Sequence, residues 1–295
     1  MDIRHLRHFL ALVEEGSFTR AARREFIVQS GFSSSIRALE NDLGVDLYVK
    51  GTRPPRLTAE GRALIPAARE ALRSFHAVHD AVGQAGRRLT GWLTIGVFTH
   101  VEHLVPVAGV LSRMTALHPA LELRMSQLPT EVMLQRLADG RLDCALLSAP
   151  EAAPRELEIT HLATEPFVLA GSRGHPLHRS SSIGLADLAN QRFVEMPRYW
   201  AVRTELDRLF REAGLRRERV CEVDDWGMAL DLVAGGAGLA FLPRAVAEQG
   251  RDAGVWSVTL DDAVVERPVD FVLPRGEAAT PAARRLRTEL VAAVS

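Results

Sequence analysis

The chain has 295 residues, of which 47% are hydrophobic and 25% are charged, and its formal net charge is −1. This composition indicates a soluble globular protein with room for two or three domains. The sequence contains no uninterrupted apolar run of about 20 residues, which a membrane-spanning helix needs. The amphipathic N-terminus is unlike an export signal, so we expect a cytoplasmic protein with no membrane partner.

Charge is distributed unevenly along the chain. Residues 1–90 hold 14 Lys and Arg against 10 Asp and Glu, whereas the remainder holds 22 against 27. A basic segment suits a surface that neutralises DNA phosphates, although so small a difference decides little by itself. The two cysteines, Cys144 and Cys221, lie in apolar strand-like runs. We therefore predict that they are core residues without a disulfide or redox role.

Three helices are predicted at the start of the chain. The first runs from about Ile3 to Glu15 with one apolar face, and Ser17 suits the N-cap of a short second helix. The third begins near Gln29, and its apolar stripe consists of Phe32, Ile36, Leu39 and Leu43. Its opposite face presents Ser30, Ser33, Ser34 and Arg37. Hydroxyls and a guanidinium at the start of a helix match the donors and acceptors of DNA base edges, which predicts a helix-turn-helix.

A turn-rich basic segment follows at residues 50–56 and is predicted to be the wing of a winged helix. Its arginines would contact phosphates or enter the minor groove. A solvated basic turn is the alternative, just as many amphipathic helices carry outward serines and bind nothing. The predicted DNA-binding residues are Ser17, Thr19, Gln29, Ser30, Ser33, Ser34, Arg37, Arg53 and Arg56.

Residues 1–62 resemble the N-terminal domain of the LysR-type transcriptional regulators. The resemblance rests on Glu-Gly-Ser-Phe-Thr-Arg-Ala-Ala at 15–22, Ile-Arg-Ala-Leu-Glu at 36–40, Leu-Gly-Val-Asp-Leu-Tyr at 43–48 and Leu-Thr-Ala-Glu-Gly at 57–61. It implies a regulator that binds promoter or operator DNA. The family usually has Ser-Gln-Pro before the third helix and a basic residue in its first turns. Here residues 28–30 are Val-Gln-Ser and residues 33–35 are Ser-Ser-Ser, so the resemblance does not imply the operator sequence.

A long helix is predicted from a cap at Thr58 to about Gln84. Its apolar residues are spaced alternately four and three apart, namely Leu64, Ala68, Ala71, Phe75, Val78 and Val82. Such a seam is buried most easily against a second copy, so we predict a homodimer that reads two half-sites of a pseudo-palindrome. The resemblance also implies a dimerising linker helix here, and because tetramers are frequent in the family, a homotetramer is the alternative.

Strands and helices alternate beyond Gly91, which indicates a parallel sheet covered on both faces. The chain crosses twice between two α/β lobes, as in the periplasmic-binding-protein fold that the family uses to sense effectors. The predicted fold is therefore α+β multidomain. Its parts are a winged helix-turn-helix at 1–58, a linker helix and hinge at 59–90, and a two-lobed effector-binding domain at 91–295. Lobe I spans about 91–162 and 266–295, and lobe II about 163–265.

Ligands of open α/β sheets lie at the carboxyl ends of strands, beside the free N–H groups of helix N-termini. This rule selects as effector-binding residues Thr99, His100, Thr130, Ser148, Arg198 and Trp200. An anionic small molecule, for example a carboxylate, suits these groups, with Arg198 as its counter-charge. Ordinary helix caps and a surface ion pair of Arg198 are the alternatives.

Enzyme chemistry finds no support in the motifs of the sequence. G-x-S-x-G, G-x-x-x-x-G-K-[ST] and H-E-x-x-H do not occur, and the glycines at 235–238 precede a strand rather than joining a strand to a helix. Four pairs of histidines at a spacing of three lack complementary ligands, so neither a metal nor another cofactor is expected. A solute-binding protein would have no use for residues 1–90. A third alternative is a DNA-binding architectural protein that does not respond to ligands. Its thermal midpoint would not change with any compound of a metabolite library.

Together these features predict a homo-oligomeric transcription factor that binds double-stranded promoter DNA. Closure of the two lobes on an effector would change the angle between the linked reading heads. DNA bending and contact with RNA polymerase would then depend on ligand occupancy.

Overall fold

A computed structural model of the protein describes residues 2–52, 54–84, 88–98, 101, 103–150, 152–180 and 182–294, and only the backbone of residues 73 and 76–84. The helices are α1 (Ile3–Glu15), α2 (Phe18–Arg24), α3 (Gln29–Leu43), α4 (Ala59–Gln84), α5 (Val107–Leu117), α6 (Thr130–Ala138), α7 (Ala201–Glu212), α8 (Trp226–Ala234), α9 (Arg244–Gln249) and α10 (Pro281–Val294). The strands are β1 (Tyr48–Val49), β2 (Arg56–Leu57), β3 (Gly91–Val97), β4 (Leu121–Gln127), β5 (Cys144–Leu147), β6 (Leu157–Ser172), β7 (Arg192–Glu195), β8 (Glu218–Glu222), β9 (Ala240–Pro243), β10 (Val255–Val258) and β11 (Glu266–Pro274). Within these ranges no helix combines the length and apolar character that a bilayer span requires.

The first three helices enclose one small core, as the sequence predicts. Helix α1 ends at Gly16, whose φ of 57° is a left-handed conformation that glycine adopts without a side-chain clash. Phe9 and Phe32 are fully buried between α1, α2 and α3. The prediction for Leu43 was wrong, because this last residue of α3 is 38% exposed. Gly44 ends the helix there with a φ of 70°, so Leu43 has no following turn to pack it.

The predicted wing is a two-stranded antiparallel hairpin. Strands β1 and β2 pair with Val49 opposite Arg56. The Thr52 hydroxyl donates to the Val49 carbonyl at 2.9 Å and accepts from the Arg56 amide at 3.1 Å, which closes the turn. Thr58 then caps α4, because its hydroxyl accepts from the Gly61 amide at 3.0 Å.

The apolar seam predicted along α4 is divided between two roles. Ala68 is 1% exposed, and Leu64 and Ala71 pack beside it against the core of the N-terminal domain. These three residues therefore stabilise the attachment of α4 to α1 and are not a free dimer surface. Phe75, one heptad beyond Ala68, is 41% exposed. The side chains of the last two seam residues, Val78 and Val82, lie outside the described residues.

The sheet of the C-terminal domain is mixed, which corrects the expectation of a purely parallel one. Strands β3, β4 and β5 are parallel, with β3 in the middle. Strand β11 pairs antiparallel with both β5 and β6. The reason is topological, since β6 leaves the first lobe and β11 returns to it, so these crossing strands run in opposite directions.

The second lobe is built on the far end of β6. This strand is 16 residues long, and its last six residues pair antiparallel with β9 and β10, whereas its first ten pair with β11. A small parallel sheet of β7 and β8 carries α7 and α8, and a bridge from Phe193 to Leu239 joins it to the β9 segment. Strand β6 thus runs continuously through the predicted boundary between the lobes.

An ion-pair network lies inside the second lobe. Arg203 of α7 is 6% exposed, and its Nη1 lies 3.1 Å from Oε2 of Glu195, which is 4% exposed. Its Nε lies 2.9 Å from Oδ1 of Asp207. Arg217 contacts both carboxylates and also covers the ring of Phe210 at 4.6 Å. The network ties α7 to β7 through paired charges, which tolerate burial only as a set.

Candidate DNA-reading surface and effector cleft

The turn between α2 and α3 positions the predicted reading helix. Ser17 caps α2, with its hydroxyl 3.4 Å from the Arg20 amide. The Phe18 ring meets the Phe32 ring edge-on at 6.2 Å, which sets the angle between the two helices. The polar face of α3 consequently points away from the core.

A large concave surface lies between α2, α3 and the wing. Its volume is about 1640 Å³. Five predicted DNA-binding residues line it, namely Ser17, Thr19, Gln29, Ser33 and Arg37. Lys50, Thr52 and Pro54 line the opposite side, on the wing. Ser30, Ser34 and Arg56 are exposed but lie outside this lining, and Arg53 lies outside the described residues.

One side-chain hydrogen bond orients the first residue of α3. The Thr19 hydroxyl donates to Oε1 of Gln29 at 3.1 Å, across the turn. The amide nitrogen of Gln29 is therefore left as a donor toward a ligand. Ser34 has less to offer, because its hydroxyl donates to the Ser30 carbonyl at 3.0 Å within the same helix.

Arg37, which lines this surface, and Arg56, on the wing beside it, suit phosphate or base contacts. Arg37 and Arg56 are both exposed, and among the described residues neither is held in an ion pair with a carboxylate. An unpaired guanidinium gives up no internal partner when it meets DNA. Lys50 differs from them, because its Nζ lies 3.0 Å from Oδ1 of Asp46.

His8 of α1 contacts α3, the predicted reading helix. Its Nδ1 lies 2.7 Å from the hydroxyl of Ser35, and its ring packs 5.2 Å from the ring of Phe32. Burial lowers the pKa of His8 below the ordinary value of 6.5, and nearby Glu25 opposes this only in part. The folded domain therefore holds the imidazole neutral.

This burial predicts a loss of stability in acid. Because the unfolded chain takes up the proton at a higher pH than the folded one, the stabilisation is complete above about pH 6.5 and is lost as the pH falls through that value toward the folded pKa. His8→Gln should flatten this dependence, so its thermal midpoint should fall less steeply than that of the wild type between about pH 8 and pH 5. Parallel slopes for the two proteins would contradict this role of His8.

A smaller cavity lies where the two lobes of the C-terminal domain meet, at the carboxyl ends of β3, β4 and β5. Its volume is about 230 Å³, and its lining comprises Val97, Phe98, Gln127, Leu128, Pro129, Thr130, Ser148, Tyr199, Trp200, Ala201, Asp224 and Arg267. Three predicted effector-binding residues, Thr130, Ser148 and Trp200, are thus brought together. Arg198 is exposed and outside the lining. Thr99 and His100 lie outside the described residues.

Among the described residues that line this cavity, Arg267 is the cation, and it is not among the residues predicted from the strand ends. Arg267 is 5% exposed, and its guanidinium lies over Phe98 at 4.3 Å and near Phe167 at 5.4 Å. It forms an ion pair with Glu165, which is 1% exposed and whose other oxygen lies 3.0 Å from Nε2 of His103. Burial lowers the pKa of Arg267 against the opposing effect of Glu165. Arginine nevertheless stays protonated at neutral pH.

Two helices begin at the same cavity without a side-chain cap. Helix α6 begins after Pro129 and α7 after Trp200, and the side chain of neither N-cap residue accepts a hydrogen bond from the helix, although their backbone carbonyls do. Their first amide N–H groups are therefore open toward the cavity, and both helix dipoles place positive potential there. The sequence did contain one indication of Arg267, which stands near the start of the apolar strand β11. An arginine in such a strand is seldom buried unless it is paired, so its position indicates a buried ion pair.

Comparison with known proteins agrees with this architecture. Residues 3–62 match the family model of the bacterial regulatory helix-turn-helix proteins of the lysR family, and residues 86–295 match the LysR substrate binding domain. The chain is 29% identical over 259 residues to the DNA-binding transcriptional dual regulator OxyR of Escherichia coli, covering 87% of this chain and 84% of that protein. It is 30% identical over 300 residues to the uncharacterized regulator YnfL of Escherichia coli, covering 100% and 99%.

Solved structures show the same fold at lower identity. Full-length OxyR from Pseudomonas aeruginosa matches with a TM-score of 0.70 at 19% identity, covering 100% of this chain and 97% of that one. Full-length CbnR complexed with its target DNA matches with a TM-score of 0.63 at 23% identity, covering 99% and 100%. With both family models matched in order along the chain, this protein belongs to the LysR family, as a DNA-binding transcriptional regulator with an effector-binding domain.

Proposed function

We propose that this regulator senses a small carboxylate bound between its two lobes, and that Arg267 is the cation that holds it. The observation that carries the proposal is a buried guanidinium in the wall of a cavity at which two uncapped helices begin. Positive charge and free N–H groups converge there from three separate elements. An anion is the ligand that all three favour.

The size and walls of the cavity narrow the class of ligand. A cavity of about 150 Å³ holds benzene, so a cavity of about 230 Å³ suits one ring or a short chain bearing a carboxylate. Phe98 and Trp200 offer apolar surface, while Thr130 and Ser148 offer hydroxyls. The carboxylate of Asp224 also lines the cavity, which favours a ligand with a hydroxyl or ammonium donor at its other end.

The position of Arg267 provides a route from ligand to lobe angle. Arg267 and its partner Glu165 face each other on β11 and β6, the two strands that cross between the lobes. A ligand carboxylate would share the Arg267 guanidinium with Glu165. It would thereby add a negative charge to the ion pair that joins the two crossing strands. The ligand shifts the equilibrium between open and closed lobes by as much as its affinity for the two states differs.

On the DNA side, the concave surface between α2, α3 and the wing would receive one operator half-site. CbnR is a DNA-bound structure of the same fold, and LysR regulators form oligomers. We propose that the dimer contact of this chain lies on α4 from Phe75 onward, because the earlier seam residues Leu64, Ala68 and Ala71 pack against the core of their own domain. Lobe closure would change the angle between two such heads and their contact with RNA polymerase.

A peroxide sensor is the second candidate, because several relatives are named hydrogen peroxide-inducible genes activators. The thiols of this chain argue against it. Cys144 is fully buried in β5, and burial raises the pKa of its thiol well above the ordinary value. Since the thiolate is the reactive form, such a thiol is inert. Cys221 lies in β8, in the other lobe.

Calorimetry with three proteins tests the carboxylate proposal. A thermal-shift panel of small carboxylic acids and their neutral amides should select acids and not amides. The selected acid should bind Arg267→Gln on the order of 30-fold more weakly than the wild type, because the substitution removes a buried charge partner. Arg198→Ala is the matched control and should keep the affinity, since Arg198 lies outside the cavity lining.

Three outcomes would overturn the proposal. Equal affinity of the acid for Arg267→Gln and the wild type would remove Arg267 from the site. A thermal shift with peroxide that Cys144→Ser and Cys221→Ser abolish, without any shift by acids, would favour the peroxide candidate. If the selected acid binds Arg267→Gln normally but binds Arg198→Ala more weakly, Arg198 is the residue that pairs with the ligand carboxylate. The thermal midpoint of each variant separates lost binding from lost folding.

A further inference from the structure

The turn that leads into α3 exposes three consecutive apolar residues. Phe26 is 94% exposed, Ile27 is 38% exposed and Val28 is 72% exposed. Phe26 also has a φ of 56°, in the left-handed region that aromatic side chains seldom occupy. A run of exposed apolar residues costs solubility and is uncommon on a soluble surface unless something covers it.

The backbone holds this turn in place. The Ile27 amide donates to the Ala22 carbonyl at 3.0 Å, and the Phe32 amide donates to the Val28 carbonyl at 3.0 Å. The exposure is therefore a property of an ordered turn that is bonded to both helices. Covering these side chains calls for another molecule.

Val28 occupies the N-cap position of α3. The residues favoured there are serine, threonine, aspartate and asparagine, whose oxygen accepts a hydrogen bond from the helix, and replacing them by an apolar residue costs about 1 kcal/mol. Val28 makes no such bond. A branched apolar side chain at this position thus lowers helix stability and displays two methyl groups to solvent.

The location identifies what covers the methyl groups. Val28 directly precedes Gln29, which lines the concave surface, and the N-terminal residues of a reading helix are those that meet base edges. In the major groove, the apolar group that a base offers is the C5 methyl of thymine. We propose that Val28 packs against a thymine methyl beside the base that Gln29 contacts, and so selects thymine at that operator position.

This inference rests on the proposed DNA-reading surface and adds one specificity-determining residue to it. Thymine and uracil differ only by the C5 methyl, so replacing thymine by deoxyuridine removes the proposed contact without changing any base-pair hydrogen bond. An operator is first obtained by selecting high-affinity duplexes from random DNA with the wild-type protein. Each thymine of that operator is then replaced in turn by deoxyuridine.

One thymine per half-site should be sensitive. Its replacement should weaken wild-type binding about fourfold, which corresponds to one buried methyl group, and replacement in both half-sites about 15-fold. Val28→Ser lacks the methyl groups in both half-sites and should therefore bind the thymine operator about 15-fold more weakly than the wild type does. Replacing the sensitive thymine by deoxyuridine should not weaken the binding of this variant further. Val28→Thr retains one methyl group on the same branched frame and should keep part of the sensitivity.

The full cycle separates three results. If every deoxyuridine replacement affects the wild type and Val28→Ser equally, the contact does not exist and the inference is wrong. If Val28→Ser changes only oligomerisation or promoter output, the apolar turn meets protein, and the inference is equally wrong. If Gln29→Ala leaves affinity and sequence preference unchanged, the DNA-reading surface itself is misplaced. Circular dichroism of Val28→Ser and Val28→Thr confirms that α3 remains folded.

Discussion

Arg203→Ala should lower the free energy of unfolding of the effector-binding domain by about 3 kcal/mol or more. Arg203 is 6% exposed, and it shares the carboxylates of Glu195 and Asp207 with Arg217. Its Nη1 also donates to the Met196 carbonyl at 3.1 Å. Removing Arg203 leaves both carboxylates on a single cation, and the Glu195 carboxylate, which is 4% exposed, cannot be hydrated in its place, whereas Asp207 is 41% exposed.

The four tryptophans make this measurement specific. Three of them, Trp200, Trp226 and Trp256, lie in the second lobe, which also contains Arg203, so tryptophan fluorescence in a urea titration reports mainly the unfolding of that lobe. Trp92 also contacts the N-terminal domain, because the Arg7 guanidinium lies 5.8 Å from the centre of its ring. Arg208→Ala is the matched control on the same helix. Arg208 pairs with Glu205 at 2.5 Å and Glu212 at 2.7 Å, but its side chain is 47% exposed. Its loss should cost less than about 1 kcal/mol. Equal losses for the two variants would contradict the importance of the buried network.

Gln29→Ala should weaken specific DNA binding about tenfold per half-site, and so on the order of 100-fold for a dimer on a two-half-site operator. Gln29 heads α3 at the edge of the concave surface, and the Thr19 hydroxyl holds its Oε1 at 3.1 Å. The remaining amide donor suits an acceptor on a base edge, such as a purine N7. Thr19→Val should cause a smaller loss, because Gln29 remains but is no longer oriented.

Fluorescence anisotropy on the selected operator and its single-base variants measures these effects at one stated salt concentration. Gln29→Ala should also lose discrimination at one base pair per half-site. Ser74→Ala, an exposed serine on α4 outside the concave surface, is the control and should bind as the wild type does. Unchanged affinity and preference after joint replacement of Ser33, Ser34 and Arg37 by alanine would disprove the DNA-reading surface.

Local chemistry allowed much of the fold to be predicted from the sequence. The sequence pattern predicts helices at about 3–15, 130–138 and 281–294, and α1, α6 and α10 have these bounds, because caps, prolines and glycines act within a few residues of the helix ends. Helix α3 was predicted for the same reason, since its apolar stripe and its polar face alternate with the helical period. The same pattern predicts a helix over about 102–117, but α5 begins five residues later, at Val107 after Pro106. A strand is predicted near 166–170, whereas β6 begins nine residues earlier, at Leu157.

The amino-acid sequence by itself determined the family, helix α3 and the order of the two family domains, because these depend on short-range patterns and on closely matching motifs. Only the tertiary structure decided that Ala68 is buried in its own domain, with Leu64 and Ala71 packed beside it, and that Arg267 rather than Arg198 reaches the cavity. A cavity is made where residues far apart in the chain converge. Phe98, Thr130, Trp200 and Arg267 meet because two strands cross between the lobes, and spacing along the chain carries no record of that convergence.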